Sequence, residues 1–344
     1  MARSRIYLDH NATTPVDPRV QEAMRDCLDV FGNPSSIHEH GRAARERVEE
    51  ARRQVAAMIA GSPEEIVFTS GGTEADALGI IGLARSLAGG GRVVTTALEH
   101  PACRGPVEGL AAGQLAAESF ELVEVEIDGN GRIELDHLSK LCTGPGVVVV
   151  HMVNHELGTM QEVAAVAECA RGAGMRVHCD AVQAVGKLPV AVADLGVDTL
   201  ALSGHKIGGP KGIGALWVRQ GLDLGPIYPG GHQERERRPG TENLVGAVGL
   251  GRAASLVGER LAAADRVRAL AERLEAAICA MDGTQIHGAR GPRVGNTVNA
   301  GFAGAAGEVV VQALDLAGVS ASTGAACSSG SVEPSSVLIG LGLG

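Results

Sequence analysis

The chain has 344 residues, 45% of them hydrophobic, which suffices for one large or two moderate domains with a real core and excludes a disordered segment. A net charge of −10 with no long block of Lys or Arg excludes a general phosphate-backbone binder, and 2% aromatics exclude a stacking platform for bases. No apolar stretch reaches the ~20 residues of a membrane span, and the polar start runs directly into Ile6-Tyr7-Leu8-Asp9 rather than a signal-peptide core. Seven cysteines without a C-x-x-C pair fit reduced thiols better than a disulfide framework or a zinc site, so we expect a cytoplasmic protein without a metal.

Asp17-Pro18 reads as an N-cap with proline at the first helical position, opening a helix toward Val30, and a second helix is predicted from about Gly41 to Ala60. Short β-branched runs then alternate with helical patterns. Ile66–Thr69, Arg92–Thr95, Leu122–Val125, Val147–Val150, Met175–His178, Asp198–Ala201 and Gly214–Val218 read as strands, with helices between most of them, including Thr73–Ala88 and Glu162–Gly172. That rhythm predicts the α/β class, with a mostly parallel central sheet of about seven strands. Val147–Val150 is apolar without alternation, as in a strand covered on both faces. Leu250–Ala280 reads as one long helix, followed by a strand at Asn296–Asn299 and a helix over Gly307–Ala317, which belong to a smaller α+β unit. The expected division is a large domain over 15–256 and a small domain made of 1–14 and 257–344.

Lys206, in Ser203-Gly204-His205-Lys206, sits where an apolar strand hands over to a glycine-rich loop, a place from which a neutral amine can form a Schiff base. Asp180, at an earlier strand end, can keep the ring nitrogen of a bound pyridine protonated and make that ring an electron sink. Together they suggest pyridoxal phosphate, although each alone also fits a loop lysine and a turn cap. Gly72 and Thr73 lie in a glycine turn that opens a helix, a favourable phosphate site; Thr73 can instead cap the helix with Asp76 completing the box. His100, at another strand end, can stack on a planar cofactor or lie in a surface loop. Asn154 can hydrogen-bond a substrate carboxylate or the cofactor hydroxyl, which Gln183 can also reach. Cys327 lies in the small-residue run Ser322–Ser331, expected to be mobile, and lacks the apolar neighbours of a buried thiol. Cys27, Cys169 and Cys279 read as small buried hydrophobes.

The segments Tyr7–Pro15, Phe31–Ser36, Thr69–Asp76, Glu99-His100, Asp180–Lys187, Ser203–Gly214, Arg238–Asn243 and the Cys327 loop together resemble the cysteine desulfurases. These are class V aminotransferase-type, fold type I pyridoxal-phosphate enzymes that supply sulfur for iron-sulfur clusters and thiolated molecules. The loop ending in Ser331-Val332-Glu333-Pro334-Ser335 is similar to the branch with a long cysteine loop. The resemblance implies a homodimer that binds pyridoxal 5′-phosphate, converts L-cysteine to L-alanine and passes sulfur to an acceptor protein. It implies Lys206 as the Schiff-base lysine, Asp180 as partner of the pyridinium nitrogen, His100 as the stacking and acid/base group, and Gln183 as partner of the ring hydroxyl. Thr73, Ser203 and His205 hold the phosphate, with Thr241 offered from the second subunit; Cys327 becomes the persulfide and Asn154 helps bind the substrate carboxylate. Two departures stand out. His155 replaces the family's usual Asn, and family members continue beyond Leu338–Gly344 into a strand whose arginine clamps the substrate carboxylate. Either another arginine substitutes, or activity is weakened, or the sequence is incomplete. A different class V lyase or aminotransferase reaction, and a noncatalytic sulfur-transfer scaffold, are the competing readings.

Overall fold

The computed structural model describes residues 5–324 and 335–343. The chain opens with strand β1 (Ile6–Tyr7) and helices α1 (Pro18–Cys27) and α2 (Glu39–Met58). Asp17 caps α1 as its sequence indicates, its side chain accepting from the N–H of Arg19 with Pro18 in the first turn. Strands and helices then alternate: β2 (Ile66–Thr69), α3 (Gly72–Arg85), β3 (Gly91–Thr95), α4 (Pro101–Ala111), β4 (Phe120–Glu124), α5 (Leu135–Leu141), β5 (Gly146–His151), α6 (Val163–Gly172), β6 (Arg176–Asp180), α7 (Val192–Leu195), β7 (Thr199–Ser203) and β8 (Gly214–Val218).

These seven long strands, β2 to β8, each overlap a run predicted from sequence, and they form one sheet in the order β2-β8-β7-β6-β5-β3-β4. β4, β3, β5, β6 and β7 are mutually parallel, whereas β8 pairs antiparallel with both β7 and β2. β2 therefore runs in the same direction as β7. The C-terminal ends of six strands consequently share one rim, where an open α/β sheet places its ligands.

The run in β5 is apolar throughout because each face has its own core. Val147 and Val149 join Leu78, Ile80 and Leu83 of α3, while Val148 and Val150 join Val166 of α6 and residues of α2. All four valines are buried, each contributing about 1.5–3 kcal/mol over an exposed side chain. This two-sided burial fixes which way β5 faces and so where its end lies.

The remaining elements are α8 (Leu244–Ser255), α9 (Val257–Ala262), α10 (Ala264–Cys279), β9 (Thr284–Ile286), β10 (Ala300–Phe302), α11 (Gly307–Leu316), β11 (Val319–Ser320) and α12 (Ser336–Gly340). The single helix expected over 250–280 is broken twice. At Leu256 and Ala263 ψ rises to −3°; the Leu256 N–H donates to the Ala253 carbonyl three residues earlier, and the Ala263 N–H is shared between the Glu259 and Arg260 carbonyls, loosening the regular ladder. The strand expected at Asn296–Asn299 is displaced to β10, which pairs antiparallel with β9. The side chains there are committed to distant partners: Asn296 Nδ2 donates to Asn11 Oδ1 at 3.1 Å and Asn299 Nδ2 to the Glu156 carbonyl at 3.4 Å. β1 pairs in parallel with β11, joining the start of the chain to its later part. Cys27 is buried as expected, but Cys169 is half-buried and Cys279 is exposed, because α10 buries none of its residues. The six described cysteines are free thiols.

Candidate active site

β6 delivers Asp180 to the rim as its last residue, buried, with Oδ1 accepting from the Val182 N–H at 2.8 Å. Burial, joined by the charges of Asp76 and Glu99, pushes this carboxyl up to about 7. A second layer stands behind it. His178, two residues back on the same strand face, lies 3.0 Å from Asp76 Oδ1 through Nε2 and 2.9 Å from Thr199 Oγ1 through Nδ1. Gly79 makes room for that ring, since a Cβ there would lie 2.4 Å from Nδ1.

β7 ends at Ser203, and a short 3-10 turn over Gly204–Lys206 carries the lysine into the pocket. Lys206 Nζ donates to the carbonyls of Asn11 and Ala12, the latter at 3.0 Å. His205 Nδ1 meets Thr13 Oγ1 at 3.1 Å, and burial together with the charges of Lys206 and Lys211 brings its imidazole down to about 4. The segment Asn11–Thr14 is thus laced to the Lys206 turn.

Gly72 and Thr73 open α3, whose N-cap is Gly71 with no side-chain cap. Thr73 is therefore not the cap that sequence alone allowed, and Asp76 turns inward to His178 rather than completing a box. The first-turn N–H groups are left for an acceptor. Gly72 abuts Ser203: a Cβ on it would reach Val182 Cγ2 at 2.9 Å and Ser203 Cβ at 3.4 Å. Ser203 Oγ is buried with no hydrogen-bond partner among the described residues.

His100 is the N-cap of α4, its Nδ1 accepting from the Ala102 N–H at 3.1 Å, which leaves the proton of the neutral ring on Nε2. Burial, then the charge of Lys206, lowers its pKa to about 4. His155 packs edge-on against it with centroids 5.0 Å apart. Asn154 is fully buried and organises the turn beneath: Nδ2 donates to the Leu98 carbonyl at 3.2 Å and Oδ1 accepts from Glu156 and Leu157. Gln183 Nε2 donates to the Asn11 carbonyl at 2.9 Å, and its Oε1 accepts from Lys187. Thr241 is exposed, in the segment preceding α8. Cys327 lies outside the described residues.

The profile of the aminotransferases of class V matches residues 6–342. The chain belongs to the class-V aminotransferase family. A cysteine desulfurase of Trichormus azollae is 42% identical over 342 residues, covering 98% of this chain and 84% of its own length. A solved NifS-like protein superposes with a TM-score of 0.89 at 32% identity, covering 99% of this chain and 90% of that one. SspA, solved in complex with cysteine, superposes with a TM-score of 0.84 at 30% identity and 98% and 95% coverage. In this class-V chain the sequence pattern singles out residues that end strands, and misses those that reach the pocket from elsewhere. Asn11 contacts Lys206, Gln183, Lys187, Asn296 and Thr297, and no periodicity announces it. Lys187 entered the sequence reading only as the end of the Asp180–Lys187 segment, with no role of its own.

Proposed function

We propose that this rim pocket binds pyridoxal 5′-phosphate and that the protein acts as a cysteine desulfurase, releasing L-alanine from L-cysteine and leaving the sulfur on Cys327. The observation that carries the reading is the meeting, on one rim, of a buried carboxyl, a lysine and a helix start without a side-chain cap, beside a serine hydroxyl that has no partner among the described residues. These groups fit the three parts of the cofactor. Asp180, kept from ionising by its surroundings, gains a counter-cation in a pyridinium N–H. The N–H groups of Gly72 and Thr73 with Ser203 and His205 suit a phosphate, and Thr241 of a neighbouring subunit completes that site. Lys206 provides the amine, and Gln183 an amide for the ring hydroxyl.

Bound there, the cofactor supplies an electron sink for charge developing on the substrate. His100 faces the pocket as a neutral imidazole whose Nε2 can pass a proton, because Nδ1 is committed to Ala102. In the net reaction the substrate Cβ–S bond breaks and an S–S bond to Cys327 forms. L-cysteine plus a thiol gives L-alanine plus a persulfide, with no outside oxidant. An acceptor protein then takes the sulfur for iron-sulfur cluster assembly or thiolation. The 40–42% identity of desulfurases over most of the chain supports this reaction over other class-V chemistries.

Trapping with borohydride tests the reading. The cofactor should be fixed to the peptide containing Lys206, and Lys206→Ala should lose it. Cys327→Ser should retain cofactor yet stop alanine release, with one added sulfur found on the Cys327 peptide of the unaltered protein after cysteine is supplied. Undiminished alanine from the serine variant, or no trapped cofactor in the unaltered protein, would sink the proposal.

A further inference from the structure

The first turn of α3, which the cofactor reading gives to a phosphate, already carries an anion of its own. Glu74 follows Gly72 and Thr73 and is half-buried, its Oε2 accepting from the Ser70 N–H and its Oε1 from the Tyr228 hydroxyl at 3.2 Å. Burial works to raise its carboxyl, but hydrogen bonds from Arg238 and Ser70 outweigh burial and hold it below its ordinary value, so Glu74 stays ionised. A carboxylate and a phosphate at one helix start draw on the same positive end and repel each other. Arg238 answers that charge. Its Nε donates to Glu74 Oε1 at 2.8 Å and its Nη2 to Oε2 at 3.3 Å, a two-pronged contact with most of both side chains withdrawn from solvent.

The backbone just before Arg238 is bent against ordinary preference. Glu234, Arg235 and Glu236 have φ of 48°, 57° and 66°, left-handed values that favour glycine, and none of the three is glycine. Such strain persists only where surrounding contacts over-determine it. Here Arg52 pins Glu234 through both carboxylate oxygens, and Gln233 Oε1 accepts from the Gly240 N–H at 2.9 Å, so the reversed turn is held on both sides of Arg238. We propose that Arg238 is a positioning residue for the cofactor phosphate: it cancels the charge of Glu74, the left-handed turn over 234–236 delivers it there, and the positive start of α3 is thereby left for the phosphate. Arg238 plays this part through Glu74 rather than on the phosphate itself.

The inference rests on the pyridoxal-phosphate reading, and one experiment separates them. Pyridoxal 5′-phosphate and pyridoxal, which lacks the phosphate, are each titrated into cofactor-free protein, and linkage to Lys206 is trapped with borohydride and read by mass spectrometry. Arg238→Gln leaves Glu74 uncompensated, so affinity for pyridoxal 5′-phosphate should fall about tenfold while that for pyridoxal stays. Glu74→Gln keeps an acceptor for the Ser70 N–H and removes the charge, so its affinity for pyridoxal 5′-phosphate should equal or exceed that of the unaltered protein. The double variant should recover most of the loss seen in Arg238→Gln. If the contact only held the segment carrying Thr241 in place, cutting it from either side would weaken binding alike; charge balance gives opposite outcomes. An unmoved affinity in Arg238→Gln, an equal loss for both aldehydes, a loss in Glu74→Gln, or no recovery in the double variant would overturn the inference. Glu74→Gln and the double variant decide it if Arg238→Gln does not fold. No linkage of either aldehyde to Lys206 in the unaltered chain would instead overturn the cofactor reading.

Discussion

Asp180 sits where a carboxylate is poorly solvated, with its carboxyl up at about 7 against an ordinary value of 3.8. The folded, cofactor-free protein therefore holds a proton on it that the unfolded chain releases. That contribution to stability is fully present below about pH 4 and is lost as pH rises through about 7. Asp180→Asn copies the protonated side chain and can still accept from the Val182 N–H. We expect the cofactor-free variant to melt with the unaltered protein below about pH 4 and a few degrees above it at about pH 8. The same variant should bind cofactor weakly and turn over poorly, since the pyridinium loses its anionic partner. Thermal melts across pH check the first outcome; a variant less stable than the unaltered protein in alkali would contradict the assignment. Stability given up at a functional carboxyl is an expected trade.

Between elements, one tie is the buried bidentate pair of Arg52 in α2 and Glu234. Arg52 Nη1 and Nη2 meet the two Glu234 oxygens at 2.7 and 2.8 Å, Arg52 also donates to Ile66 O, and Glu234 Oε2 accepts from the Phe68 N–H. α2, β2 and the turn around Glu234 are thereby locked together. Glu234→Ala strands a buried guanidinium and a backbone N–H, leaving Glu49 on Nε alone, and should cost about 3–5 kcal/mol in denaturant unfolding. Arg52→Met combined with Glu234→Met should recover part of that loss, because no charge is then left unpaired; a single variant costing under about 1 kcal/mol would contradict this account. Nothing in the sequence marks this tie, which spans 182 positions. The seven strands were legible because burial on two faces demands apolar runs, as in β5. The strand-end residues Asp180, Ser203 and Lys206 were legible because parallel strands bring their ends to one rim. The breaks at Leu256 and Ala263 were not, since neither carries the Gly or Pro that signals a helix end. Asn11 and Lys187 were not, because their roles arise from contacts across more than 170 positions.

At the scale of the molecule, the turn between α1 and α2 exposes Leu28, Phe31 and Ile37 at 64%, 77% and 88%, a strip unlike the polar surface expected of an isolated chain. A second copy of the chain is the occupant that suits the proposed function, because Thr241, exposed on its own chain, is the residue proposed for a neighbour's phosphate. Phe31→Asp with Ile37→Asp places charge in the strip and should give a monomer in sedimentation at micromolar concentration, where the unaltered protein should sediment as a dimer. Cofactor affinity should fall with it. Thr241→Ala should leave the dimer intact and still weaken cofactor binding by about tenfold or more, the loss of one hydrogen bond to a charged group. The pair of variants separates assembly from contact. A monomer that binds cofactor as tightly as the unaltered dimer would remove Thr241 from the site and leave the phosphate to Gly72, Thr73, Ser203 and His205 of a single chain.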